Sequence, residues 1–164
     1  MTVKLIRHAL RIIGIAILVG CSTAQSDVSI VVPTSNTATK LLLLVPGYNG
    51  SGEAMLDERW KTFAEKHGLV LLAPTFKTTP EELQRGRGYY YPEQGSGAEV
   101  ERMLEQVGKE TGVQTDKILI FGFSAGAHFA HRFALWKPER VKAFVAYSAA
   151  WWSEPTELCA RSPL

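Results

Sequence analysis

The stretch that decides the fold runs from Ile118 to His131, "ILIFGFSAGAHFAH". Four apolar residues, Ile118 to Phe121, read as a buried strand. Gly122-Phe123-Ser124-Ala125-Gly126 reads as a tight turn, and the residues after it have a helical pattern. A serine between two glycines at a strand-to-helix turn is placed for nucleophilic attack. The turn is so tight that the serine must take a strained backbone, and the positions two before and two after it must be small to avoid a clash. A structural serine in a glycine turn is the alternative. A serine hydroxyl is a weak nucleophile, so the chemical reading also requires a base beside it.

Working outward, the same apolar runs recur. Leu41 to Val45 is closed by Pro46-Gly47, and Leu69 to Ala73 is closed by Pro74. Val141 to Tyr147 is a fourth run. Between them, Leu56, Trp60, Phe63 and Ala64 have helical spacing before Gly68, and Val100, Met103, Leu104 and Val107 have it before Gly112. The helix after Ser124 is expected to end near Trp136, because Pro138 disfavours helix at Lys137. Continuous apolar runs alternating with helices imply parallel strands covered on both faces and joined by right-handed crossovers. The expected class is therefore α/β, a mostly parallel sheet with helices on both faces. Ligands of such sheets sit outside the carboxyl ends of the strands. The turns after Val45, Ala73, Phe121 and Tyr147 should then line one site, and Arg85 to Gly97 is the longest loop.

In that frame the Ala125 N–H, at a helix N-terminus, would face a developing oxyanion. The loop Pro46-Gly47-Tyr48-Asn49-Gly50-Ser51 would supply a second donor, first the Tyr48 N–H and second that of Asn49. A plain Gly-rich turn is the alternative there.

These residues resemble the N-terminal part of an α/β-hydrolase. The matching pieces are "LLLLVPGYNGSG", "FAEKHGLVLLAPT", "ILIFGFSAGAHFA" and "KPERVKAFVAYSA", in the family's order from Leu41 to Ala149. They are similar to secreted esterases of the polyhydroxybutyrate-depolymerase, feruloyl-esterase and dienelactone-hydrolase kind. The resemblance implies a carboxylic ester hydrolase working through an acyl-enzyme on Ser124. It implies an oxyanion hole from Ala125 and Tyr48, elbow glycines Gly122 and Gly126, and a small-molecule or polymeric ester substrate. It calls for no metal and no cofactor. Pro46 departs from it, since relatives usually carry histidine before the glycine.

The family order places the acid and then the histidine after the serine. The four histidines are His8, His67, His128 and His131, and none follows the fourth apolar run. His67 reads as a helix-end residue. His128 resembles the structural histidine of "SAGGH"-type esterases, and His131 lies on the same helix, which packs back on the sheet. Glu154 and Glu157 follow the fourth run, where some hydrolases place the acid, although surface glutamate is the plain reading. The triad histidine and acid are thus not evident. The expectation is a hydrolase domain whose C-terminal strands are missing, with an apolar sheet edge exposed. A non-catalytic ligand-binding lipoprotein and a peptidase on the same fold remain open. Tyr89-Tyr90-Tyr91 and Trp151-Trp152 would either wall a pocket or cover core.

The 164 residues are 46% hydrophobic and 21% charged, an ordinary globular balance. The formal charge is +2, but three of the eighteen basic side chains (Lys4, Arg7, Arg11) lie in the first twenty residues, which hold no acid. The remaining fifteen face sixteen acidic ones, so no basic face argues for nucleic acid. Residues 1–20 read as a signal peptide, because the apolar run Ile12 to Val19 is shorter than the roughly 20 residues that span a bilayer. Leu18-Val19-Gly20-Cys21 resembles a lipobox. By that resemblance Cys21 is the lipid attachment, and the protein is held on a bacterial membrane facing the periplasm or the cell exterior. An ordinary signal with an incidental cysteine is the alternative. Residues 21–40, rich in Ser, Thr and Asn, read as a flexible tether in which Ser29 to Val32 could form a short edge strand. Residues 41–164 are the expected domain. Cys159 is the other cysteine and reads as a packed or free thiol. Oligomeric state is not legible.

Overall fold

The computed structural model describes residues 4–8, 27–34, 38–85 and 88–153. Cys21, Glu154, Glu157 and Cys159 lie outside them, as does the apolar run from Ile12 to Val19.

Six strands form one sheet: β1 (Lys4–His8), β2 (Asp27–Val32), β3 (Lys40–Val45), β4 (Leu69–Thr75), β5 (Ile118–Phe123) and β6 (Val141–Tyr147). Their order is β1-β2-β4-β3-β5-β6. β4, β3, β5 and β6 run parallel, while β2 pairs antiparallel with both β1 and β4. The helices are α1 (Gly52–Met55), α2 (Glu58–His67), α3 (Pro80–Gln84), α4 (Ser96–Thr111) and α5 (Ala125–Trp136). The longer ones end as their sequences dictate. Asp57 caps α2 by accepting the Arg59 and Trp60 N–H groups, and Gly68 closes it at φ 61°. Gly112 closes α4 at φ 73°.

Strand side chains alternate between two cores. Leu41, Leu43 and Val45 of β3 join Val100 and Leu104 of α4 and Phe129 and Phe133 of α5 on one face. Leu42 and Leu44 join Leu56 and Ala64 on the opposite face, with Trp60 of α2 packed alongside. Helices therefore cover both faces of the sheet, and β3 lies at its centre with every residue from Leu41 to Val45 buried.

Four details differ from the sequence reading. β4 runs through Pro74 to Thr75; proline is tolerated near a strand's end, where a missing donor costs little. α4 begins at Ser96, and the loop before it holds a short 3-10 turn, Pro92–Gln94. Within the 21–40 tether, the expected short strand from Ser29 to Val32 is strand β2, two residues longer at its start (Asp27–Val32). It is not an edge, because β1 lies outside it, and it is held because Ile30 and Val31 bury one side chain into each core. The apolar composition of the fourth run implies cover on both faces, yet in β6 Phe144, Val145 and Tyr147 are 41%, 54% and 61% exposed. Only α5 packs broadly against β6, and among the described residues no strand pairs with its outer edge.

Candidate functional site

Ser124 is the residue between β5 and α5. Its backbone sits at φ 53°, ψ −114°, a conformation that costs a non-glycine residue free energy and persists only where its surroundings hold it. Those surroundings are visible. The Ser124 N–H donates to the Tyr147 carbonyl at 2.9 Å, tying the turn to the end of β6. The Ser124 carbonyl accepts from the Ala127 N–H at 2.9 Å, starting α5. A Cβ on Gly122 would collide with the Gly126 carbonyl, and one on Gly126 would collide with the Val45 and Pro46 carbonyls. Two glycines therefore let the strand, the turn and the helix meet backbone to backbone. The side chain of Ser124 does not cap α5, so its hydroxyl is not spent on the helix.

The loop after β3 lies against this turn. A Cβ on Gly47 would come within 3.1 Å of the Phe123 ring and 3.4 Å of Ser124 Cβ. The Gly50 N–H donates to the Gly47 carbonyl at 2.9 Å, closing a turn with Asn49 at φ 56°. Tyr48 is exposed on that turn. Ala125 is the first residue of α5, so its N–H has no acceptor within the helix. The structure thus brings Ser124, Ala125 and the Gly47–Asn49 loop together at the carboxyl ends of β3 and β5.

The histidines go elsewhere. His67 ends α2, with its ring 4.4 Å from that of Phe63. His128 is 3% exposed and stacks on Trp151 at 3.9 Å. Its Nε2 accepts the Ala150 N–H at 3.4 Å, so in the neutral ring the proton is on Nδ1, which is buried without a partner. His131 donates from Nδ1 to the Ala127 carbonyl at 3.0 Å, and its Nε2 accepts the Ser153 N–H at 3.2 Å. Both rings have spent their basic nitrogen on backbone N–H groups, which removes them as bases for Ser124. Burial lowers both pKa values, that of His128 to about 4, with the Arg132 and His131 charges pushing it the same way. Among the described residues, no imidazole or carboxylate reaches the Ser124 hydroxyl.

Several contacts carry no signal in the sequence. Arg132 is buried on α5, donates from Nη1 to the Tyr90 carbonyl at 3.1 Å and from Nε to Ser153 Oγ at 2.7 Å, and lies 4.0 Å from the Tyr91 ring centre. It ties the tyrosine loop and the segment after β6 to α5. Tyr89 and Tyr90 are buried and cover core, whereas Trp151 and Trp152 are half exposed. An apolar groove of about 370 Å³ lined by Leu42, Trp60, Phe63, Leu119, Phe121 and Val145 lies between α2 and β6; neither Ser124 nor the Gly47–Asn49 loop lines it. Among the described residues no group of three acidic, Cys or His side chains could hold a metal ion, and no helix is long and apolar enough to cross a membrane.

The depressed pKa of His128 predicts a pH dependence of stability. The unfolded ring titrates near 6.5 and the folded ring near 4, so the unfolded state gains the proton first. Stability is full above pH 6.5 and falls as pH drops from 6.5 towards 4. Urea midpoints measured across that window should decline in the wild type and decline less steeply in His128→Gln. Parallel slopes in the two proteins would contradict the burial argument.

No protein-family model matches the chain, and no curated protein sequence matches it. Solved structures do. An acetyl xylan esterase from Aspergillus awamori aligns over 92% of this chain and 55% of its own, with 17% identity and a TM-score of 0.67. An S-formylglutathione hydrolase from Agrobacterium tumefaciens aligns over 93% of this chain and 61% of its own, at 21% identity and TM-score 0.65. The poly(3-hydroxybutyrate) depolymerase LpqC from Bordetella parapertussis aligns over 78% of this chain and 47% of its own, at 23% identity and TM-score 0.61. The chain spans about half to three-fifths of the length of these structures. They are hydrolases of the α/β-hydrolase fold, and this chain has that fold.

Proposed function

We propose that the protein is a serine hydrolase of carboxylic esters, with Ser124 as nucleophile. The observation that carries this reading is the Ser124 turn. A serine at φ 53°, flanked by glycines that admit no Cβ and not engaged in capping its helix, stands at the carboxyl ends of the parallel strands β3 and β5. The strain of such a turn is retained where it serves to display a side chain. In the reaction, Ser124 Oγ attacks the ester carbonyl carbon, and the N–H groups of Ala125 and Tyr48 hold the tetrahedral oxyanion. The alcohol leaves, and water releases the acid from the acyl-enzyme. A histidine takes and returns the proton, oriented by a carboxylate. Neither stands by Ser124 among the described residues, and Glu154 and Glu157 lie outside those. The acetyl xylan esterase and polyester depolymerase among the structural neighbours support a small-molecule or polymeric ester as substrate. The exposed Phe123, Tyr147, Trp151 and Trp152 favour one second reading, a binding protein that keeps the fold and holds a ligand with them.

We also propose that the chain is exported and anchored to a bacterial membrane through lipid on Cys21. The basic start, the short apolar run and Leu18-Val19-Gly20-Cys21 support it. Cleavage before Cys21 would remove β1 and leave β2 as the sheet edge, with the Ile30 and Val31 packing intact.

Two outcomes follow. In the full-length natural protein, Ser124→Ala should lower hydrolysis of a short-chain p-nitrophenyl ester by about 10³-fold or more and abolish fluorophosphonate labelling. Unchanged hydrolysis in that variant would defeat the enzymatic reading. For the anchor, the mass of the membrane-extracted protein should begin at a diacylated or triacylated Cys21, and Cys21→Ser should shift the protein out of the membrane fraction. A mature N-terminus elsewhere would refute it.

A further inference from the structure

Tyr89 is buried, and its hydroxyl donates to the Pro46 carbonyl at 2.8 Å across forty-three residues of sequence. Its ring stacks on Phe76 with centres 4.8 Å apart and planes 10° from parallel, and its own carbonyl accepts Ser96 Oγ at 2.6 Å. The donor is therefore fixed by the end of β4 on one side and the start of α4 on the other. Burial raises the phenol pKa far above its usual value, so the hydroxyl remains a donor throughout the working pH range.

The acceptor is the first residue of the loop beside Ser124. The peptide unit is planar, so holding the Pro46 carbonyl also fixes the direction of the Gly47 N–H. The next unit is held the same way. The Gly47 carbonyl accepts the Gly50 N–H at 2.9 Å, which fixes the direction of the Tyr48 N–H. Two hydrogen bonds thus set two successive peptide planes, and Tyr89 supplies the first. The Pro46 carbonyl also abuts Gly126, where an added Cβ would approach it to 2.5 Å. The same carbonyl therefore registers the loop against the helix that presents Ala125.

We propose that Tyr89 is a positioning residue for the oxyanion site: through the Pro46 carbonyl it holds the Gly47–Tyr48 peptides at the distance from Ala125 that the transition state requires. This rests on the serine hydrolase reading. A donor pair aimed at an oxyanion acts only as charge develops, so losing its alignment lowers kcat and kcat/KM together and leaves KM unchanged. Misplacement of a reacting group on the ångström scale is enough for a large loss.

The experiment uses the full-length natural protein and a p-nitrophenyl ester. Tyr89→Phe keeps the ring stack and removes the donor. It should lower kcat by about tenfold or more with KM unchanged. 4-Aminophenylalanine at position 89, which restores an N–H donor, should recover most of kcat, whereas 4-fluorophenylalanine, of similar bulk without a donor, should not. This pair makes the same comparison if Tyr89→Phe does not fold. Leu71→Val, buried in the opposite core, controls for lost stability and should keep wild-type kcat. Ser124→Ala is assayed alongside. If Ser124→Ala is inactive while Tyr89→Phe has wild-type kcat, or if 4-fluorophenylalanine restores activity as well as the amine does, the positioning role is overturned and the hydrolase reading stands. If Ser124→Ala hydrolyses the ester at the wild-type rate, the hydrolase reading falls and takes this inference with it.

Discussion

The structure depends on a place where backbone meets backbone without side chains between. α5 enters the sheet so closely that Gly126 touches the carbonyls of Val45 and Pro46, and Gly122 touches the carbonyl of Gly126. That contact fixes β5, the Ser124 turn, α5 and the loop after β3 as one unit. Close packing transmits small displacements rather than absorbing them, so a methyl group at either glycine would be felt throughout. The strained backbone of Ser124 is the consequence. The turn has no room for a relaxed path, and the bond from its N–H to the Tyr147 carbonyl holds it against the end of β6.

The sequence shows much of this because the constraint is written in residue type. Glycines two before and two after a serine, at the junction of an apolar run and a helical pattern, predict close approach on both sides. The central strands are legible for a similar reason: Leu41 to Val45 is apolar throughout because β3 is buried on both faces. β6 misleads, since Val141 to Tyr147 has the same composition as a covered strand while its surroundings leave much of it open. Composition reports what a strand could bury and not what covers it. β2 is half legible: Ser29 to Val32 reads as a short edge strand within a Ser-, Thr- and Asn-rich linker, and only its pairing with β4 gives Ile30 and Val31 their cores.

The histidines and tyrosines show a second limit. His128 and His131 are spaced as neighbours on a helix, and nothing in the sequence says that backbone N–H groups from the segment after β6 occupy their Nε2 atoms. Tyr89 gives no sign that its hydroxyl crosses to Pro46, and Arg132 gives none that it will be buried against Tyr91. Each is a long-range contact made by a side chain whose sequence neighbours are unremarkable. Together they surround α5 with fixed polar contacts. In this arrangement the histidines of α5 tie the helix to its own backbone and to the segment after β6.

The central claim is that Ser124 attacks, with the Ala125 and Tyr48 N–H groups receiving the charge. The most direct test is a crystal structure of the full-length natural protein after reaction with diethyl p-nitrophenyl phosphate. The account predicts a bond from Ser124 Oγ to phosphorus, with the phosphoryl oxygen within hydrogen-bond distance of both N–H groups. Phosphorus on another residue, or an adduct whose phosphoryl oxygen points away from the Gly47–Asn49 loop, would contradict it.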